Sequence, residues 1–195
     1  MLKPITITQT VAPTFDAVTL EEIREHGRID GAEEDALLTG ALASAVEGVE
    51  AYLGRVLASA TYTVTYECFP GVRSKLVLPR YPVTSVSSVA YIDTAGDSQT
   101  FASWALVKSN PRGYIIPANA VNWPATLGHA DAENVTITLV AGYATAADIP
   151  DPIKTAIKML VLELYENRQA TAEGRLADNP TYRMLLDLYR LPEVA

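Results

Sequence analysis

The stretch AGYATAADIPDPIKTAI, from Ala141 to Ile157, lies where a predicted strand ends and a strongly apolar helix begins. Gly142 can adopt backbone angles that leave a sheet, and a residue that precedes proline disfavours helical angles. We therefore expect an extended segment through Asp151, which caps a helix with Pro152 at its first position. This helix is predicted to reach Arg168. Its apolar stripe has helical spacing: Ile153, Ile157, Leu160, Val161, Leu164 and Tyr165.

Two helices are predicted upstream of the strands. Thr19 can cap a short helix, Glu22 completes a capping box, and Gly27 is expected to end it. A long amphipathic helix follows from Glu33 to Leu53, with Gly54 as its cap. Its apolar residues recur at three- and four-residue steps: Leu38, Leu42, Ala45, Val49 and Leu53. Small residues on this helix favour close packing of another helix: Gly40, Ala41, Ala43, Ser44, Ala45 and Gly48.

The middle of the chain has the two-residue periodicity of strands. In TYTVTYECF, the residues Tyr62, Val64, Tyr66 and Cys68 alternate with polar ones, so Cys68 is expected in the core. The turn TAGD and further short strands follow: KLVL, VTSVSSVAYID, SQTF, WALVK, GYIIP and NVTITLV. The segment SVSSVAYI has apolar residues at both parities, so it is either covered on both faces or interrupted by a bulge.

This order of elements predicts an α+β fold. A helical core carries an inserted small, mostly antiparallel sheet, and a short helix in PTYRMLLDLYRL forms a C-terminal arm. We expect an N-terminal extension at residues 1–17, one principal domain at 18–170 and the arm at 171–195. Within the domain, the helices are predicted at 19–54 and 151–168 and the sheet insertion at 61–140.

Composition argues against several functional classes. The chain has 15 basic and 23 acidic residues and a net charge of -8, the wrong sign for gripping DNA through its phosphates. Its uninterrupted apolar runs are short for a membrane span, and its start lacks a signal-peptide pattern, so we expect a soluble protein synthesised in the cytoplasm. The lone Cys68 supplies neither a disulfide nor a Cys/His metal cluster, and no cofactor or metal is predicted.

An enzyme is not expected from the motifs. His26 and His129 are far apart, and the sequence has no HExxH, phosphate-binding Gly-rich loop or nucleophile elbow. Glu163 and Glu166 lie one helical turn apart, but no histidine accompanies them, which favours a solvated face over a metal site. Three hydroxyl side chains have no evident base partner: Ser59, Ser85 and Thr100.

A small ligand- or protein-binding module is the alternative class. Trp104, Tyr114 and Trp123 could form an aromatic platform on the sheet, although aromatic residues in strands are more often core. The oligomeric state tests this class, because a binding module is stable as a monomer, whereas the subunit of an assembly exposes apolar or small-residue helix faces that become buried only on assembly.

Four segments, in order, resemble a known family: VTLEEIREHGRID, EDALLTGALASAVEGVEAYLGR, LPRYPVTSVSSVAYIDTAG and VTITLVAGYATAADIPDPIKTAIKMLVLELYENRQA. From about Val18 to Ala170 the chain is similar to the head-to-tail connector, or adaptor, proteins of long-tailed phages and gene transfer agents. The resemblance implies a virion structural protein of the head–tail neck. It also implies a ring, expected to be dodecameric, that lies below the portal, extends the DNA channel and docks a neck stopper or tail-completion protein.

The resemblance also assigns surfaces. The C-terminal segment, residues 173–195, is expected to reach the portal unless it folds back onto its own core. Its candidate anchors are Tyr182, Leu185, Leu186, Tyr189 and Arg190. The candidate ring contacts are Leu38, Leu42, Val49, Ile157, Val161 and Tyr165. Acidic residues that either line the lumen or face outward are Glu21, Glu22, Glu25, Glu33, Glu34 and Asp35. Loops 80–82 and 94–97 are expected to face neighbouring rings or the capsid.

Overall fold

The computed structural model describes residues 2–109, 112–118, 121–127, 132–167 and 180–191. The chain divides into two compact units. The sheet unit comprises Met1–Thr14 and Ala58–Ala144, and the helical unit comprises Phe15–Leu57 and Thr145–Ala195. Helices and antiparallel sheets together confirm the predicted α+β class.

The sheet unit contains two antiparallel sheets. Its strands are β1 (Thr6–Val11), β2 (Ala60–Tyr66), β3 (Leu76–Val77), β4 (Val83–Ile92), β5 (Ser98–Thr100), β6 (Trp104–Val107), β7 (Tyr114–Pro117) and β8 (Val135–Ala141). The five-stranded sheet has the order β1-β2-β8-β4-β5, and the three-stranded sheet has the order β3-β7-β6. The sequence pattern predicts no strand at β1, whose residues are mostly exposed, yet β1 pairs with β2 along its length.

The two-residue alternation of β2 and β8 builds the centre of the larger sheet. Three cross-strand pairs are buried on both sides: Tyr62 with Leu139, Val64 with Ile137, and Tyr66 with Val135. Such pairs are the units of sheet stability because their side chains pack directly against each other. Cys68 lies beyond the end of β2 and is only half-buried, so the prediction that it is a core residue is wrong.

The irregular phase of β4 arises from bulges. Its pairing with β8 shifts register between Val83 and Ser85 and again between Val86 and Ser88. An extra residue in one strand moves the following side chains to the other face, which explains the apolar residues at both parities. Of the two possibilities left open by the sequence, the structure shows the interrupted strand.

The helical unit contains α1 (Leu20–Gly27), α2 (Asp35–Leu53), α3 (Asp151–Glu166) and α4 (Pro180–Asp187). The capping box of α1 is confirmed: Glu22 N donates to Thr19 Oγ1 at 3.2 Å, and Thr19 N donates to Glu22 Oε2 at 2.8 Å. The helix ends at Gly27, as predicted, and the left-handed cap residue that follows is Arg28, with φ 52°. Gly27 also permits close packing, because a Cβ there would lie 2.7 Å from Leu162 Cδ2.

Helix α3 begins one residue earlier than predicted. Pro150 is the N-cap and Asp151 is already helical, because the Pro150 carbonyl accepts from Ile153 N at 3.0 Å and from Lys154 N at 3.3 Å. Pro152 therefore occupies the second helical position, where its missing N–H also leaves no intrahelical bond unmade. The helix ends at Glu166, and the predicted terminal Arg168 lies outside the described residues.

Gly142 is required where β8 ends. Its φ is +112°, and a Cβ there would lie 2.6 Å from the Ala58 carbonyl oxygen. We expect Gly142→Ala to lower the free energy of unfolding by about 2–3 kcal/mol, since it adds backbone strain and a clash. Gly96→Ala is the matched control, because Gly96 has φ +92° but open space around it. Urea denaturation of both variants measures the difference, and equal losses contradict a role for the Ala58 contact.

Candidate assembly interface

Helix α2 buries one face and leaves another open. Its buried side chains are Leu38, Ala45, Val49 and Leu53. The open face of α2 consists of Leu37, Gly40, Ser44, Glu47, Gly48 and Ala51, all of which are exposed. A Cβ at Gly40 or Gly48 would meet no atom within 4 Å, and the Ser44 hydroxyl is already bonded to the Gly40 carbonyl at 3.0 Å. The open face thus consists mainly of small side chains, carries one charged residue and is accessible to another chain.

By length and composition alone, α2 is long and apolar enough to cross a membrane. The short uninterrupted apolar runs of the sequence do not predict such a span. Only 22% of the most apolar stretch of α2 is buried within the chain. However, Glu47 and Glu50 lie in its C-terminal half, and an ionised carboxylate inside a bilayer is costly. The exposed residues are mainly small, which is typical of surfaces that approach other protein segments closely.

Most of the predicted ring-contact side chains pack inside their own chain. Leu38, Val49, Ile157 and Val161 are each at most 2% exposed, and Leu42 and Tyr165 are half-buried. The Tyr165 hydroxyl donates to the Glu34 carboxylate. The apolar periodicity of α2 and α3 therefore follows the face that packs within the chain, and the ring contacts proposed for these residues stay a prediction.

The arm helix α4 is docked on the helical unit by one side. Leu186 and Leu191 are 1% and 6% exposed. Three hydrogen bonds tie this segment to the end of α2 and the residues after it: Leu191 N to Leu53 O at 3.0 Å, the Tyr52 hydroxyl to Asp187 Oδ1 at 2.5 Å, and Arg55 Nε to Tyr189 O at 2.6 Å. The fold-back possibility thus holds for the buried side of α4.

The other side of α4 exposes two large apolar side chains. Met184 and Leu188 are 68% and 78% exposed; Met184 lies on α4, and Leu188 directly follows its last residue. The structure places the five predicted anchors differently: Leu186 is buried, Tyr182, Leu185 and Tyr189 are half-buried, and exposed Arg190 lies over the Tyr52 ring at 4.9 Å. Nearly every residue of this helix has a large side chain, so helical spacing alone does not distinguish its buried side from its exposed side. Residues 173–179 and 192–195 of the predicted arm lie outside the described residues.

The six predicted lumen acids fall into two groups. Glu22, Glu34 and Asp35 contact other side chains of the helical unit: Lys158, Tyr165 and Arg24 respectively. The bond from the Thr19 N–H, together with Lys158, holds the pKa of Glu22 below its usual value. Glu21, Glu25 and Glu33 are exposed. Only this second group is fully presented to solvent.

The two predicted loops are held by different kinds of contact. In loop 94–97, Asp93 Oδ1 accepts from Asp97 N at 3.0 Å and from Ala95 N at 2.9 Å, and these bonds help to lower the pKa of Asp93. In loop 80–82, the Arg80 guanidinium lies 5.1 Å from the centre of the Tyr62 ring. Neither set of contacts tests the predicted partners of these loops.

The aromatic platform of a binding module is not assembled. Trp123 is buried, stacks on Phe69 at 4.7 Å between ring centroids, and donates from Nε1 to the Ser74 carbonyl at 2.8 Å. Trp104 and Tyr114 lie on β6 and β7 of the smaller sheet. Trp123 is therefore a core residue of an aromatic cluster.

Of the two histidines and two glutamates considered for catalysis or metal binding, the structure describes three: His26, Glu163 and Glu166. His26 is exposed at the end of α1, whereas His129 lies outside the described residues. On α3, Glu163 is half-buried and Glu166 is exposed. Among the described residues, no group of three or more His, Cys, Asp or Glu side chains could hold a metal ion.

A family model for head completion proteins matches residues 16–182, most of the chain and both units. The chain belongs to the head completion protein family. It is a virion structural protein, and this family has a structural role at the junction of head and tail. Among curated proteins, none matches its sequence.

Solved particle structures contain chains similar to this head completion protein over 97% of both chains. One comes from the neck of an empty gene transfer agent particle computed with C6 symmetry, with 25% identity and a TM-score of 0.78. Another, from the virion of a native gene transfer agent particle, has 24% identity and a TM-score of 0.79. A third, from the neck of a native particle computed with C12 symmetry, has 23% identity and a TM-score of 0.75. The last two likenesses show the fold alone, and the first agrees with a location in the neck of a phage-like particle.

Proposed function

We propose that this head completion protein is a head-to-tail adaptor subunit. Twelve copies form a ring below the portal, extend the channel through which DNA passes without specific binding, and dock the neck stopper or tail-completion protein. The open face of α2 carries the proposal, because a monomer that leaves such a surface exposed is suited to a protein partner. The cyclic symmetries of the related necks are consistent with a ring.

The open face of α2 is suited to contact with a neighbouring copy. In a ring, each subunit uses one surface against the previous copy and a different surface against the next. Gly40 and Gly48 let the backbone of a neighbour approach closely, which increases dispersion contacts along the helix. Because the Ser44 hydroxyl is bonded within its own helix, its burial leaves no donor unpaired.

The exposed side of α4 is suited to the portal. A helix of eight residues is marginal alone in water, but α4 is held by its buried side and therefore presents Met184 and Leu188 on a prepared surface. We assign portal binding to this side.

The charge distribution suits the passage of DNA. The helical unit has eighteen acidic and nine basic residues, whereas the sheet unit has five acidic and six basic residues. We propose that exposed Glu21, Glu25 and Glu33 face the lumen, where they repel phosphates and prevent DNA from sticking. The extended acidic surface thus acts through repulsion and requires no specific contact.

Light scattering tests the ring directly. We expect the purified protein to have the mass of a ring, either alone or after mixing with its portal, and negative-stain images to show the annular species. A compact monomer under both conditions contradicts the adaptor function and favours the binding module.

A further inference from the structure

Three basic residues meet at one end of the smaller sheet. Gly113 lies at their centre: Leu78 N donates to its carbonyl at 3.0 Å, and a Cβ on Gly113 would lie 3.3 Å from Val83 Cγ2 and 3.6 Å from the Val107 carbonyl. Arg80 lies in the bend between Leu78 and Val83. Lys108 follows Val107 and Arg112 precedes Gly113, so both share this end of the sheet with Arg80. We call Arg80, Lys108 and Arg112 the basic end.

The basic end has unmet polar needs. The Nε atoms of Arg80 and Arg112 are buried without a hydrogen-bond partner among the described residues. The ion pairs Arg24–Asp35 and Lys158–Glu22 lie in the helical unit and involve no residue of the basic end. Neither Arg80 nor Arg112 forms an ion pair with a described residue, and a carboxylate is the preferred bidentate partner of a guanidinium.

Glu47 is a carboxylate that lacks a cation or a hydrogen-bond donor in the described part of its own chain. It is the one charged residue on the open face of α2, and it has no hydrogen-bond or ion-pair partner within the described ranges. If the open face is covered by another copy, the Glu47 carboxylate loses water and requires a cation or donors from that copy.

We propose that the basic end of one copy binds the Glu47 carboxylate of its neighbour. This inference rests on the proposed ring and names the residues of one contact that closes it. The outer guanidinium nitrogens of Arg80 and Arg112 donate to the carboxylate and exposed Lys108 adds charge, so the Glu47 carboxylate gains donors and the basic end gains an anion in one heterologous contact. A DNA phosphate is chemically similar, but the net charge of -8 opposes DNA and the carboxylate is present in every copy.

Cross-linking provides the direct test. Rings are assembled from equal amounts of ¹⁴N- and ¹⁵N-labelled protein and treated with a carbodiimide, which joins a lysine amine to a carboxylate without a spacer. We expect isotopically mixed peptides that link Lys108 to Glu47. Lys108→Arg keeps the charge and removes the link. Assembled rings whose Lys108 cross-links lack Glu47 of another copy contradict the site.

Charge reversal gives a second test by mass photometry. Glu47→Lys and the double variant Arg80→Glu/Arg112→Glu are each expected to raise the concentration needed for assembly about 10- to 100-fold. Both sets of changes in one chain, or an equal mixture of the two variants, should restore assembly. Lys108→Glu, at an exposed position, replaces the arginine pair if that variant fails to fold.

The outcomes separate the site from the ring. A wild-type chain that stays monomeric with and without its portal contradicts the ring and therefore this site. Normal rings from Glu47→Lys and from Lys108→Glu contradict the site alone. Fluorescence polarisation with a labelled DNA duplex tests the alternative that the basic end binds a DNA phosphate. Loss of DNA binding in the charge-reversed variants, with unchanged assembly, also overturns the proposal.

Discussion

We expect the double variant Gly40→Leu/Gly48→Leu to form no rings, because its larger side chains block the proposed contact between the open face of α2 and a neighbouring copy. Both positions have open space in the single chain, so the subunit accepts the larger side chains. In the ring, the same side chains hold the neighbouring backbone away from α2. Because helix propensity favours leucine over glycine by roughly 0.5–1 kcal/mol at each site, the isolated subunit should gain stability. Native mass spectrometry under conditions in which the wild type assembles measures the loss.

Two controls sharpen this experiment. Gly40→Ala/Gly48→Ala should also stabilise the subunit but disturb assembly much less, since a methyl group adds little volume. Thr39→Leu adds bulk to an exposed position of α2 away from the open face and should leave assembly unchanged. Normal rings from Gly40→Leu/Gly48→Leu would show that the open face of α2 is not a subunit contact.

Portal affinity should fall about 100-fold or more in Met184→Ser/Leu188→Ser, while the fold of the subunit is retained. Both side chains are largely exposed, so their loss costs the free subunit little. In a complex, two large apolar groups at the centre of a contact each contribute on the order of 1–2 kcal/mol or more. Biolayer interferometry on an immobilised portal ring measures the affinity, and circular dichroism measures the fold.

Val72→Ser is the matched control for the arm. Val72 is 73% exposed but belongs to the sheet unit, so its replacement removes a similar exposed apolar group from another surface. Portal affinity should not change. An affinity equal to that of the wild type in Met184→Ser/Leu188→Ser would refute portal binding by the exposed side of α4.

Local rules predict the elements whose signals are local. The Thr19–Glu22 capping box lies within four residues, and the alternation of β2 and β8 requires only one-sided burial. Where tertiary packing competes, the same rules fail in detail. Helix α1 ends at Gly27 as predicted, but the left-handed residue that follows is Arg28, and Gly27 itself accommodates the close approach of Leu162. Strand β1 has the composition of an exposed edge, and it is recognised only through its partner β2.

The candidate surfaces are less predictable than the fold for a specific reason. Periodicity reports which side chains are buried, and it does not distinguish burial in the chain from burial between chains. It therefore selected Leu38 and Ile157, which pack in their own subunit. The open face of α2 and the pair Met184 and Leu188 become visible only when the intramolecular contacts are known. The basic end likewise depends on strand pairing that brings together residues distant in sequence.

A cryo-EM reconstruction of the neck of the particle that contains this protein tests the central claim most directly. We predict a closed ring of twelve copies below the portal, in which Gly40 and Gly48 are buried against the neighbouring copy and Glu21, Glu25 and Glu33 face the lumen. A neck in which the open face of α2 remains exposed to solvent, or in which this protein forms no ring, would contradict the account.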